Sequence, residues 1–317
     1  MKKFLEDLKI ELNKKGFTTL EISEILQDHE EMINEAIDDG LSEDEIPNMF
    51  GTPSKLAEDL KETADSESDE VDVDNEVGYT LIKTYLPTDE ELEFNVKLVN
   101  EDIKVHPSKS GNIEVYAKNF KENDYIISFE NNVLTLKKKS KIGFSMNFKK
   151  GTKFKVYFPQ DNGFSLFNFM TTNGDANLKH INGSDFKVKS VNGDVSIKDS
   201  NLKTTNITTV NGDIKINKST TEDFTLSLVS GDVKAQSTTI ANECYIHTVS
   251  GDADLKDVTA KNISFRSVSG DLKAKECYPE TVSLQSVSGD IIIENKDKEH
   301  HIEIIKKKTL SGDISIS

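Results

Sequence analysis

The sequence predicts a mainly β protein: a β-solenoid of about eight 19-residue Asn/Ser-Gly-Asp repeats, preceded by a small all-α N-terminal domain. Three observations carry this reading. The tripeptide recurs with glycines at 174, 193, 212, 231, 251, 270, 289 and 312, at intervals of 19, 19, 19, 20, 19, 19 and 23 residues. Inside each repeat, apolar and polar residues alternate with the period of a strand. The first 64 residues instead space their apolar side chains by three and four, the period of a helix face.

Residues 1–64 read as a helical domain. Phe4, Leu5, Leu8 and Leu12 share one face of a first helix, and Ile22, Ile25, Leu26, Met32, Ile33, Ala36 and Ile37 mark a second that ends at Gly40. Ser42-Glu43-Asp44-Glu45 is a capping box for a third helix carrying Ile46, Met49 and Phe50. Thr52-Pro53 supplies an N-cap and a first-turn proline for a fourth, with Leu56, Ala57 and Leu60. Residues 65–78 are an acidic linker, too polar and self-repelling to fold alone. Residues 79–170 form a β-rich lead-in, with strands expected at Phe94–Leu98, Ile103–Val105, Ile113–Tyr116, Tyr125–Phe129, Val133–Leu136 and Phe154–Phe158. Residues 171–317 are the solenoid repeats.

Parity within the repeat assigns the faces. Two and four residues after the glycine come Val195/Ile197, Ile214/Ile216, Val233/Ala235, Ala253/Leu255, Leu272/Ala274, Ile291/Ile293 and Ile314/Ile316. Seven and five before it come Phe186/Val188, Thr205/Ile207, Phe224/Leu226, Cys244/Ile246, Ile263/Phe265 and Val282/Leu284, which form a second inward pair. A valine or leucine immediately precedes each turn (Val191, Val210, Val229, Val249, Val268, Val287, Leu310). One repeat cannot bury these rows by itself; stacked copies build a continuous thin core.

The structural residues are therefore the turns: Gly174, Asp175, Gly193, Asp194, Gly212, Asp213, Gly231, Asp232, Gly251, Asp252, Gly270, Asp271, Gly289, Asp290, Gly312 and Asp313. Asn/Ser-Gly is expected to supply a positive φ, with the short polar side chains bonding the turn backbone. The acids share their outward face with Lys179, Lys198, Lys215, Lys234, Lys256, Lys273 and Lys275, which are expected to offset their mutual repulsion. Calcium-binding β-rolls use a nine-residue, glycine-rich unit, and this repeat is twice as long with one glycine, so no metal is assigned.

Composition narrows the function. Formal net charge is −17, and residues 1–78 carry all of it, with 24 Asp and Glu against 7 Lys. An acidic head, no basic patch and a single arginine, Arg266, argue against nucleic-acid binding. Cys244 and Cys277 suit neither a disulfide framework nor a metal motif, and both fall at interior positions. Of the six histidines, His29 lies on the apolar face of the second helix; His106, His180 and His247 stand alone, and His300-His301 lies in the longest repeat. No apolar run is long enough to cross a bilayer, and charges interrupt any leader-like segment after Met1, so a cytoplasmic chain, envelope- or membrane-associated at most, is expected. Evenly spaced repeats leave no loops of the kind that hold a polysaccharide lyase site, so neither catalysis nor a cofactor is expected.

Glu24-Ile-Leu-Gln-Asp-His-Glu-Glu, Gly40-Leu-Ser-Glu-Asp-Glu-Ile and Phe50-Gly-Thr-Pro resemble the HAAS domain, a helical module of bacterial signalling-associated proteins. Pro47 departs from that pattern, because it removes a backbone donor inside the third helix. Val156-Tyr-Phe-Pro159 ahead of serial Asn/Ser-Gly-Asp repeats resembles the "putative adhesin" family of bacterial β-strand repeat proteins across residues 80–317. These resemblances imply a β-solenoid and a non-enzymatic interaction or scaffold role in envelope-related sensing. Protein partners would bind residues 1–64 and the solenoid face, and the chain would be a monomer or an end-to-end dimer. The alternative they leave open is a surface adhesin for glycan or protein. Limited proteolysis is expected to cut first within residues 65–78 and release a stable β fragment; a protected linker would contradict the division.

Overall fold

The computed structural model describes residues 2–15, 22, 25, 26, 29, 33, 52–58, 78–88, 90–139, 151–160, 162–297 and 299–317. The chain divides into two compact units, Met1–Val77 and Gly78–Ser317.

In the first unit, helix α1 (Lys2–Lys14) presents Phe4, Leu8 and Leu12 to a small core completed by Ile22, Ile33 and Ala57. Leu5, Ile25, Leu26 and Leu56 pack against it. This is the face that the three-four spacing marked. Thr52 caps the helical residues 53–58: its Oγ1 accepts the Lys55 N–H at 3.3 Å and its carbonyl accepts the Leu56 N–H at 2.9 Å. Pro53 follows it where no donor is needed. His29 is half-buried and its Nδ1 bonds the Ile25 carbonyl at 2.8 Å, a packed residue of the helix. The expected third helix with Pro47, and most of the acidic linker, lie outside the described residues.

The second unit is a β-solenoid of about eight turns. Its strands are β1 Thr80–Tyr85, β2 Leu92–Lys97, β3 Asp102–Ser108, β4 Ile113–Lys118, β5 Tyr125–Glu130, β6 Val133–Lys138, β7 Lys153–Pro159, β8 Phe164–Met170, β9 Ala176–Lys179, β10 Asn182–Lys189, β11 Val195–Lys198, β12 Asn201–Thr209, β13 Ile214–Asn217, β14 Thr220–Leu228, β15 Val233–Thr248, β16 Ala253–Arg266, β17 Leu272–Lys275, β18 Thr281–Gln285, β19 Ile291–Glu294, β20 Glu303–Lys308 and β21 Ile314–Ile316. Each repeat lays one strand in each of two parallel stacks. In one stack Phe186, Thr205, Phe224, Cys244, Ile263 and Val282 are in register, as are Val188, Ile207, Leu226, Ile246, Phe265 and Leu284. In the other, Ala176, Val195, Ile214, Val233, Ala253, Leu272 and Ile291 form a column. All of these are buried. The two inward pairs read from parity are the core.

The lead-in region is threaded rather than serial. β2 lies between β6 and β8, and β3 lies between β7 and β9, all parallel. The chain thus lays one rung, builds β4–β7 beneath it, and returns to continue above. Antiparallel pairings of β5 with β6, β4 with β7 and β1 with β4 close that end. At the opposite end, Lys307 occupies the inward column of Leu284, and a bulge leaves Ile305 66% exposed. An inward charge and a bulge both discourage further strand addition.

The turn glycines correct one expectation. Gly231 alone among the repeat glycines has a positive φ, 121°. Glycine is required instead by a close approach: a Cβ on Gly193, Gly212, Gly251, Gly270, Gly289 or Gly312 would collide with the carbonyl oxygen of the glycine one rung below. The left-handed residues lie six positions later, at His180, Asp199, Lys218, Ser237, Asp257 and Glu276, with φ from 47° to 54°. They turn each rung from one stack into the other. Gly270→Ala is therefore expected to cost about 3 kcal/mol by overpacking. Glu276→Gly, which relieves a left-handed side chain, is expected to be neutral or to stabilise by up to about 1 kcal/mol. Denaturant midpoints of the two variants check the contrast.

Candidate functional site

The repeated chemistry of the chain is concentrated at the turn corner. Three residues before the glycine stands a buried hydroxyl whose Oγ accepts the glycine N–H: Thr171 to Gly174 at 3.1 Å, Ser190 to Gly193 at 2.9 Å, Thr209 to Gly212 at 3.2 Å, Thr248 to Gly251 at 2.8 Å, Ser267 to Gly270 at 2.6 Å and Ser286 to Gly289 at 2.7 Å. Leu228 takes that place before Gly231, which then lacks this acceptor and adopts the positive φ. This hydroxyl column is a sequence signal that parity alone passes over.

Two ladders run along the corner. Asn192 donates its side-chain amide to Asn173 Oδ1 at 2.7 Å, Asn211 to Asn192 at 2.8 Å, and Ser230 its hydroxyl to Asn211 at 2.8 Å. In the aspartate ladder each carboxylate accepts the backbone N–H of the aspartate one rung on. The distances are 3.0 Å for Asp175 to Asp194, 2.9 Å for Asp194 to Asp213 and Asp213 to Asp232, and 3.1 Å for Asp232 to Asp252. They are 2.9 Å for Asp252 to Asp271 and 2.8 Å for Asp271 to Asp290 and Asp290 to Asp313. The expected lysine balance is thus secondary; these carboxylates are held by charge-assisted bonds to backbone. The ladder begins earlier than the tripeptide: Asp102 Oδ1 accepts the Asp175 N–H at 3.2 Å and its Oδ2 lies 2.8 Å from Lys153 Nζ. Asn100-Glu101-Asp102 is therefore a first repeat in which glutamate replaces glycine.

Glu101 has its own role. Its carboxylate accepts the Val99 N–H at 2.8 Å and the Tyr125 hydroxyl at 2.8 Å, and lies 2.8 Å from Lys138 Nζ. Burial alone would raise its pKa; Lys138, the Val99 N–H and Tyr125 outweigh it and hold the carboxyl below the usual carboxylate range. Burial opposes the charge on Lys138, yet Glu101 and Tyr125 hold its pKa above the ordinary value. The cluster ties β3, β5 and β6 at the closed end and is structural.

The other candidates are quiet. Both thiols are buried, and desolvation pushes Cys244 up to about 12 and Cys277 up to about 11, which removes nucleophilic thiolate at neutral pH. Around Cys244, with Thr205, Ala235 and Ile240, the core leaves a cavity of about 20 Å³, room for little more than one water. His300 Nε2 bonds the Pro279 carbonyl at 3.0 Å and its ring meets Tyr278 edge-on. Among the described residues no group of three or more His, Cys, Asp or Glu converges to hold a metal, and no helix is long and apolar enough to cross a membrane. The valines before the turns face outward, 37–46% exposed from Val191 to Val287. They continue the outward parity of the preceding strand and form an exposed apolar ladder along the corner.

The family model for Toastrack DUF4097 matches residues 90–317, the greater part of the chain and all the solenoid rungs. The chain belongs to that family. The HAAS model matches residues 3–59, so this Toastrack protein carries a HAAS domain at its N-terminal end. Its fold is similar to crystal structures described as a "putative adhesin" from Parabacteroides merdae ATCC 43184 (14% identity, TM-score 0.52, 76% of this chain and 97% of that one) and a "putative adhesin" from Parabacteroides distasonis ATCC 8503 (15%, 0.52, 75% and 98%). A third, described as a "putative lipid binding protein" from Parabacteroides distasonis ATCC 8503, matches at 15% identity with TM-score 0.50, over 76% of this chain and 98% of that one. At such identities the likeness is one of fold. No curated protein matches the chain.

The ladder's hydrogen bonds separate a backbone role from a metal role. Asp271→Asn keeps an acceptor oxygen for the Asp290 N–H and is expected to leave stability nearly unchanged. Asp271→Ala orphans that N–H and is expected to cost about 1–2 kcal/mol. Melting curves with EDTA and with millimolar Ca²⁺ are expected to coincide; a rise of several degrees with Ca²⁺ would sink the backbone account.

Proposed function

We infer that this Toastrack protein is a non-enzymatic interaction and scaffold molecule of an envelope-related sensing pathway. Residues 1–64 dock a protein partner, residues 65–78 link them to the β unit, and the solenoid presents a flat repetitive surface as a monomer or closed end-to-end pair. The observation that supports this best is the regularity of the rungs. Turn chemistry repeats from Asp102 to Asp313 and is spent on holding rungs together, and no long loop interrupts the repeats from Asn173 to Gly289. A reacting group has no recess to occupy there. The HAAS match favours docking through the helical module, whose Phe4, Leu8 and Leu12 hold its own core.

A surface adhesin for glycan or protein is the second reading, favoured by the adhesin descriptions of proteins with this fold. A lipid held in the core is disfavoured, since a cavity of about 20 Å³ cannot take an acyl chain.

Affinity capture with the full chain is expected to retrieve a protein partner that is lost on deletion of residues 1–64. The purified chain is expected to release no unsaturated product from polyuronate. Capture that survives the deletion would overturn docking through the helical module, and turnover would overturn the non-enzymatic assignment.

A further inference from the structure

The two outward rows that β12, β14, β15, β16 and β18 present beside the core columns carry threonine, serine, asparagine, glutamine, one tyrosine, one histidine and a single permanent positive charge. Arg266, the chain's single arginine, stands there with its guanidinium carbon 6.0 Å from the centre of the Tyr245 ring. It is exposed and makes no ion pair among the described residues. Cys244, Ile246, Ile263, Phe265, Val282 and Leu284 fill the core, so the alternating residues Tyr245, His247, Ser264, Arg266, Ser283 and Gln285 face outward. Register sets His247, Arg266 and Gln285 side by side on three successive strands, with Tyr245, Ser264 and Ser283 in the neighbouring row.

Two polar atoms in this patch lack partners. His247 Nδ1 and Gln285 Nε2 are buried and make no hydrogen bond. A buried polar atom left unpaired is costly, and these two flank the one guanidinium. The Tyr245 ring holds the guanidinium by cation–π attraction while its edge N–H donors stay free. Those donors match the two oxygens of a carboxylate, and the half-buried side chains of Gln285 and His247 gain partners for these atoms by turning outward toward it.

We propose that this patch is a binding site for a carboxylate-bearing sugar, with Arg266 clamping the carboxylate and Gln285, Ser264 and Ser283 meeting hydroxyls. Peptides bind sheets by pairing with a free edge or by filling apolar pockets. Here β16 is paired on both sides, by β15 and β18, and the patch is flat and lined with hydroxyl, amide and imidazole groups. A hydroxylated anion fits that lining better than an acidic peptide does. The proposal deepens the interaction role by assigning the solenoid face a ligand class.

Calorimetric titration of the full chain tests it with four probes: a galacturonic acid trisaccharide, the neutral galactose trisaccharide, a sulfated galactose trisaccharide and a hexaglutamate peptide. The uronate is expected to bind, and each of the others to bind at least tenfold more weakly. Arg266→Gln is expected to weaken the uronate at least tenfold and Arg266→Lys to lie between, with the melting temperature unchanged because the side chain is exposed. Tyr245 is a positioning residue: Tyr245→Leu is expected to weaken binding and Tyr245→Phe to restore it. No uronate binding, neutral sugar bound as tightly, sulfate or peptide preferred, or an Arg266→Gln variant that binds normally would overturn the site. None of these variants touches residues 1–64, so failure here leaves partner capture through the helical module standing.

Discussion

The solenoid depends on one close approach, the stacking of each turn glycine against the carbonyl oxygen of the glycine one rung below. Hydrogen in place of a side chain lets adjacent turns nest. Nesting then brings each aspartate carboxylate within reach of the next aspartate N–H, and each asparagine amide within reach of the next asparagine. The ladders are consequences of that approach. A line of exposed carboxylates would ordinarily repel, by about 0.9 kcal/mol for neighbours about 4.8 Å apart in water. Here a charge-assisted bond to backbone at each rung opposes the repulsion. The hydroxyl three residues earlier completes the corner, and the Leu228 rung shows the alternative, where Gly231 loses the acceptor and takes up a positive φ.

The two ends of the stack are handled differently. The first end is closed by antiparallel strands and by Glu101, Tyr125 and Lys138, a paired and hydrogen-bonded cluster that fixes how β3 meets β5 and β6. Removing one member would leave a buried charge uncompensated, which is why such clusters act as registers more than as sources of stability. The last rung carries Lys307 in the inward column and the bulged Ile305. The core between them is only two facing rows of side chains thick, and its thiols are desolvated and inert. Among the described residues of the β unit, the exposed side chains therefore lie on the outer faces and along the valine corner.

Much of this was legible from residues alone. The 19-residue period, the two inward pairs and the face of α1 follow from side-chain periodicity, because burial on one side of a strand or helix imposes a period of two or 3.6. Cys244 and Cys277 read as interior residues for the same reason. The turn was only half legible. Glycine at a fixed place signals either a positive φ or a close approach, and one sequence does not separate them; the φ values and the carbonyl oxygens crowding each glycine do. The first repeat escaped because Glu101 replaces the diagnostic glycine.

What the sequence by itself determined is local and periodic: which residues face inward, where each rung turns, and that identical units must stack to bury their rows. Tertiary structure decided what alternation cannot encode. A strand pattern names no partner, so the threading of β2 between β6 and β8 and of β3 between β7 and β9 appears only once pairing is seen. The row of His247, Arg266 and Gln285 follows the 19-residue period, but the approach of the Arg266 guanidinium to the Tyr245 ring does not. Register between successive strands brings them together, and register is a property of the stack.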